Sequence, residues 1–143
     1  MKTVAVVYGG DSLEHDISIV TSLFVMEELN KYKISFIPIY ISHDNTFYTG
    51  KALLNKDNYE TKNKFIKGEF VFRHGYYQFK HGFHFEDIDV ALLCFHGAGT
   101  EDGTIKALFD FMHIPSTSSS VISSALIQDK YYSKIVLRNL GIP

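Results

Sequence analysis

Two stretches of this 143-residue chain hold residue types that could do chemistry. Gly9-Gly10-Asp11-Ser12-Leu13-Glu14-His15 sets a carboxylate just past a glycine turn. His96-Gly97-Ala98-Gly99-Thr100-Glu101-Asp102-Gly103-Thr104 sets a histidine ahead of two adjacent acids in a glycine-rich run. Glu14 either serves the dipole of the helix it opens or holds a substrate ammonium, and the residues alone leave both readings open. His96 is either a strand-end structural histidine or a polar group aimed at substrate. The other histidines, including His81 and His84, show no ligand spacing, so no metal ligands are expected. Glu101 and Asp102 could form an acid and base pair, but neighbours entering a helix serve more often as cap and dipole partners. Gly9, Gly10 and Ser12 read as a tight turn and a cap, because neither a dinucleotide fingerprint nor a phosphate loop is spelled.

These residues need elements to hold them. Lys2 to Tyr8 reads as a strand, followed by a helix whose buried face runs through Ile17, Val20 and Phe24 to about Leu29. Ile34 to Ile41 reads as a second strand, with Pro38 hinting at an edge or bulge. Ile88 to Phe95 is apolar enough for a strand covered on both faces, and the next helix buries Ile105, Leu108, Phe109 and Met112. Both loops then lie past the carboxyl ends of parallel strands, where open α/β sheets bind ligands. Residues 42–86 are expected to form a peripheral insertion with a β-hairpin around His74-Gly75 and a solvated lysine face. Ile114 to Thr117 reads as a short extended piece, and Ser118-Ser119-Ser120 caps a helix near Val121. Asp129 opens a last helix through Tyr132, Ile135, Val136 and Leu140, with Gly141 and Pro143 as stops. The expected fold is α/β: a Rossmann-like or flavodoxin-like open sheet of about four mainly parallel strands, flanked by helices.

Composition narrows the function classes. The formal net charge is −2 and no basic cluster is present, which argues against nucleic acid and anionic membranes as partners. The opening apolar run is too short for a signal peptide, so a cytoplasmic location is expected. The single Cys94 sits inside a strand run and reads as a small buried hydrophobe rather than a nucleophile. Lys130 reads as a solvated lysine, with a phosphate contact as the alternative.

Gly9 to Ser18 and His96 to Ile105 together resemble the two amino-terminal signatures of D-alanyl-D-alanine ligases. Ser123 to Lys130, continuing through Leu140-Gly141-Ile142-Pro143, is similar to the segment leading those enzymes into their central ATP-grasp domain. The resemblance implies an enzyme that phosphorylates the carboxylate of one D-alanine with ATP and lets the amine of a second attack the acylphosphate, making a dipeptide for peptidoglycan. It implies that Glu14 is the catalytic carboxylate holding the first ammonium, that Ile17 borders the methyl pocket, that His96 and Gly97 line the same subsite, and that Lys130 reaches the nucleotide phosphates. ATP and Mg2+ would serve the complete enzyme, with neither bound tightly by these residues. The resemblance spans the whole chain but less than half of the family's usual enzyme. Residues 1–143 are therefore expected to be an amino-terminal substrate-binding domain, inactive alone, with 119–143 beginning the connection onward. A homodimer is compatible, with the aromatic hairpin region offering apolar surface for a partner. A non-catalytic small-ligand or interaction module of the same fold, and a ligase whose second substrate is D-lactate or D-serine, stand as alternatives. Thr100, where the family usually has glycine, is expected to redirect the loop. Lys106, Ser116 and Ser118 depart from the family pattern as well.

Overall fold

Alternation along the first strand decides the architecture. In β1 (Val4–Gly9), Ala5 and Val7 face one side and Val6 and Tyr8 the other, all fully buried, as in a strand covered on both faces. β2 (Phe36–Ile41) repeats the pattern: Ile37, Ile39 and Ile41 join the Ala5 and Val7 cluster, while Tyr40 joins Val6 and Tyr8. Helix α1 (His15–Lys31) closes the second cluster with Ile19 and Met26. Helix α2 (Thr104–Phe111) closes the first with Phe109. The computed structural model describes residues 2–62, 64–97 and 99–142. Ala98 of the glycine-rich loop and the stop residue Pro143 lie outside the described residues.

The expected sheet of four mainly parallel strands is corrected. β1 is flanked by two parallel partners, β2 and β7 (Val90–Leu93), with Val4 opposite both Phe36 and Val90. An isolated parallel bridge from Ala91 to Ser116 adds one further step beyond β7. On its other side the sheet continues antiparallel through β3 (Phe47–Thr49), β4 (Ile66–Arg73), β5 (Tyr76–His81) and β6 (His84–Glu86). The result is a seven-stranded mixed sheet ordered β6-β5-β4-β3-β2-β1-β7.

Residues 42–86 are therefore not a peripheral insertion. They supply four strands, and they feed both cores: Phe79 packs with Phe70 and Phe109 on one face, and Leu53, in the 3-10 turn Lys51–Leu54, reaches the other. Strands of three residues such as β3 and β6 are too short to display a period of two. The hairpin reading holds, since His74 and Gly75 at its tip both take positive φ, 55° and 93°, as a two-residue turn with matching twist requires. Pro38 lies on an interior strand, but the β2–β3 ladder covers only Tyr40 and Ile41, so locally it keeps an edge-like setting.

The buried face of α1 is a second correction. Ile17, Val20 and Phe24 are half or more exposed, and the inward residues are His15, Ser18, Ile19, Ser22 and Met26. Short hydroxyl side chains let the helix lie close on β1, and the inward hydroxyl of Ser22 is satisfied within the helix, donating to the carbonyl of Ser18 at 2.7 Å. The last two helices, α3 (Val121–Gln128) and α4 (Lys130–Asn139), begin at caps read correctly from sequence. Ser120 Oγ accepts from the Ser123 amide, and Asp129 Oδ1 accepts from the amides of Tyr131 and Tyr132. The apolar residues Tyr132, Ile135 and Val136 on α4, and Leu140 just past its end, are not buried as a helical face would suggest. None of the described helices is long and apolar enough to cross a membrane.

Candidate functional site

Because β1 and β7 are adjacent and parallel, the chain leaves both at the same edge of the sheet. The loop after β1 carries Ser12 and Glu14 into α1, and the loop after β7 carries His96 and Gly97 toward α2. The structure brings these together. Ser12 Oγ donates to the His96 carbonyl at 2.8 Å and accepts from the Glu14 amide at 3.1 Å, joining the two loops with one hydroxyl. A side-chain carbon placed on Gly97 would stand 3.3 Å from Glu14 Oε1, which measures how closely that carboxylate flanks the second loop.

His96 is held on three sides. Its amide donates to Ser18 Oγ at 3.1 Å, its Nε2 pairs with Thr21 Oγ1 at 3.0 Å, and its Nδ1 lies 3.9 Å from Glu101 Oε1. Glu14, Ile17, Ser18 and Thr21 fall on one side of α1 by helical spacing, so a single helix face supplies one wall of the crevice. Ile17 is 51% exposed at its mouth. Glu14 is exposed, and its side chain makes no capping hydrogen bond to the helix it opens. Among the described residues, no hydrogen bond engages its carboxylate.

The two conspicuous acids are occupied with structure. Glu101 Oε2 accepts from the Gly97 amide at 3.0 Å, and Asp102 Oδ1 accepts from the Thr104 amide at 2.9 Å at the start of α2. Thr100 turns inward, only 6% exposed, and its hydroxyl donates to the carbonyls of Gly97 at 2.8 Å and His96 at 3.1 Å. The left-handed conformations of this loop fall on Gly97, Gly99 and Gly103, so the β-branched Thr100 adopts none of them.

Sequence reasoning treated Ser12 as a cap and passed over Ser18 and Thr21. Their signal was present: hydroxyls spaced three apart interrupt the apolar period of α1. Burial pushes the Cys94 thiol above its ordinary value, which leaves it inert as a nucleophile. Lys130 stands exposed in the first turn of α4, a helix seated on α3, and among the described residues no polar contact carries it to the Glu14 crevice. Among the described residues, no three of His, Cys, Asp and Glu gather as metal ligands.

The sequence profile of a family described as "D-ala D-ala ligase N-terminus" matches residues 3–119. The D-alanine--D-alanine ligase of Thermosipho africanus is 35% identical over the whole of this chain, which spans 40% of that ligase. Among solved structures, the D-alanine-D-alanine ligase of Coxiella burnetii superposes with a TM-score of 0.86 at 26% identity, covering 99% of this chain and 42% of that one. The VanG D-Ala:D-Ser ligase of Enterococcus faecalis gives 0.84 at 27% identity, again over 99% of this chain and 42% of the other. The chain thus spans about two fifths of the length of the relatives it matches.

Proposed function

The chain belongs to the family of D-alanine–D-alanine ligase amino-terminal regions, and from that membership we propose that it forms the first-substrate wall of an ATP-dependent ligase joining two D-alanines for peptidoglycan. The observation that carries this is the Glu14 carboxylate, which has no hydrogen-bond partner among the described residues and flanks Gly97 and His96 at the carboxyl edge of β1 and β7. An amino acid seated there puts its ammonium against Glu14 and its methyl toward Ile17. Gly97 leaves room for it, and His96, braced by Ser18 and Thr21, borders the same space. Holding the first substrate in one orientation is the chain's contribution to rate.

ATP, when bound, supplies the phosphoryl group that activates the first carboxylate toward the second amine. Lys130 is the residue of this chain suited to meet nucleotide phosphates, as an exposed point charge. Magnesium has no candidate set of three His, Cys, Asp or Glu donors among the described residues. The choice of a second substrate, D-alanine or the D-serine and D-lactate alternatives, does not alter the role of Glu14, because each reaction starts from the same first amino acid. A cytoplasmic site of action, supported by a lone unpaired cysteine, completes the reading.

A chimera carrying residues 1–143 in place of the matching 40% of the Thermosipho africanus ligase is expected to release phosphate from ATP when D-alanine is supplied. A folded chimera that binds ATP but never consumes it with D-alanine would favour the non-catalytic module. A homodimer is the second part of the proposal, on the observation that Val20 and Phe24 of α1, with Leu13 just ahead of that helix, are exposed apolar side chains. Sedimentation of the chain is expected to show a dimer that Phe24→Asp dissociates. A monomer at every concentration refutes that part.

A further inference from the structure

Thr100 lies deep in the glycine-rich loop, only 6% exposed, and its two branches face different loops. The hydroxyl serves its own loop, sharing one hydrogen between the Gly97 carbonyl at 2.8 Å and the His96 carbonyl at 3.1 Å. The methyl faces the other. A side-chain carbon placed on Gly10 would stand 2.6 Å from Thr100 Cγ2, so the methyl occupies the space that any residue but glycine would need there. A β-branched side chain is stiff about χ1, and fixing one branch fixes the other.

Gly10 is a firm surface to bear on. Its amide donates to the Ile41 carbonyl at 2.8 Å, and its carbonyl accepts from His15 Nδ1 at 2.6 Å. His15 is buried, and the Tyr40 hydroxyl pins its ring from the other side, 2.9 Å from Nε2. The same short loop runs on from Gly10 to Glu14.

Two contacts of opposite kind therefore brace the loop after β1 against the loop after β7. The hydrogen bond from Ser12 Oγ to the His96 carbonyl draws them together, and the Thr100 methyl on Gly10 stops their approach. Between them they set how far Gly97 stands from the Glu14 carboxylate. His96 depends less on Thr100, because its amide donates to Ser18 and its Nε2 pairs with Thr21, both on α1.

We propose that Thr100 is a positioning residue for the first substrate, a spacer whose methyl keeps the two loops apart while its hydroxyl holds Gly97 in line. The proposal rests on the first-substrate reading of Glu14. Buried as it is, Thr100 acts through Gly10 and Gly97. A gap set in advance spares the amino acid the cost of ordering it. A gap wrongly set weakens the ground state and the transition state alike, which raises KM and spares kcat.

Two single variants separate the branches. Thr100→Val keeps a methyl over Gly10 and removes the hydroxyl, while Thr100→Ser keeps the hydroxyl and removes the methyl. Both are expected to fold. Without the hydroxyl, the Gly97 carbonyl still accepts from the Glu101 amide at 3.0 Å and the His96 carbonyl from Ser12, so neither acceptor is orphaned. In the active chimera each variant is expected to raise the KM for the first amino acid about three- to tenfold, with kcat and the KM for ATP moving by less than about twofold. In the 143-residue chain, the Gly97 amide resonance is expected to shift in both variants while the ring nitrogens of His96 do not.

The sharpest comparison uses Gly10→Ala, whose added carbon collides with the methyl. Thr100→Ser impairs the natural chain, yet in the Gly10→Ala background it is expected to raise the melting temperature and lower the KM, because it removes the collision. A lowered melting temperature in the single variants with KM unchanged would reduce Thr100 to packing and overturn the proposal. Thr100→Ser making Gly10→Ala worse would overturn it as well. An unaltered chimera with no dependence on D-alanine, with the Gly97 shift and the reversal in melting temperature intact, would sink the substrate reading and leave the spacer standing.

Discussion

Glu14→Gln is expected to lower kcat/KM for the first D-alanine by roughly 10- to 150-fold, corresponding to the loss of about 1.5–3 kcal/mol that a hydrogen bond to a charged group contributes. The substitution keeps the shape and an acceptor oxygen but removes the charge that opposes an ammonium. The carboxylate is exposed in the empty crevice, where its field is screened. A substrate lodged between Glu14, Gly97 and His96 covers it, and water no longer competes. The KM for ATP is expected to stay within about twofold, since the described contacts of Glu14 lie with Gly97, Ser12, Ile17 and Ser18 and none reaches Lys130. Steady-state kinetics varying each substrate in turn makes the check. Equal loss for both substrates, or none, would refute the ammonium role. Glu101→Gln supplies the contrast, because its carboxylate already serves the Gly97 amide and its replacement should act through loop stability.

Gly97→Ala is expected to cost about 2–5 kcal/mol in stability and to depress the melting temperature by about 6–15 °C. Two causes add. Gly97 has φ of +88°, in the left-handed region that L side chains disfavour. The new carbon would also stand 2.2 Å from Ser12 Oγ. That oxygen cannot turn away freely, because it bridges the His96 carbonyl and the Glu14 amide, and moving it breaks both bonds. Calorimetry on Gly97→Ala, Ser12→Ala and the double variant separates the causes. The double variant should lose less than the sum of the singles, since removing the hydroxyl removes the collision. Strict additivity would mean that the two loops do not touch as described.

How much of this was legible from sequence depends on where the information lies. The strands β1 and β2 and the hairpin at His74-Gly75 were readable because alternation and turn chemistry are local. The inner face of α1 was not, because Ser18 and Ser22 do the packing that an apolar pattern assigns to Ile17 and Val20. Close approach to a flat strand favours small side chains over large ones, and nothing local announces it. The sheet was undercounted because β3 and β6 hold only three residues each and owe their form to their neighbours. The site shows the same division. Glu14 and His96 stood out by residue type beside glycines, while Ser12, Thr21 and His15 matter through carbonyl and hydroxyl partners up to 84 residues away. Glu101 and Asp102, expected as cap and dipole partners, instead accept from the Gly97 and Thr104 amides, while the N-cap of α2 is Gly103.

The placement of β7 beside β1 bears on how the molecule assembles. Val4 waits for Val90, so one side of β1 has no strand partner until nearly two thirds of the chain has been made and the four-strand meander has folded past it. Over that interval β1 is an open edge of almost wholly apolar residues, the kind that recruits other chains, and closing it means ordering a long intervening segment. The crevice cannot exist before β7 docks, and an intermediate lacking β7 would be both ligand-blind and prone to aggregate.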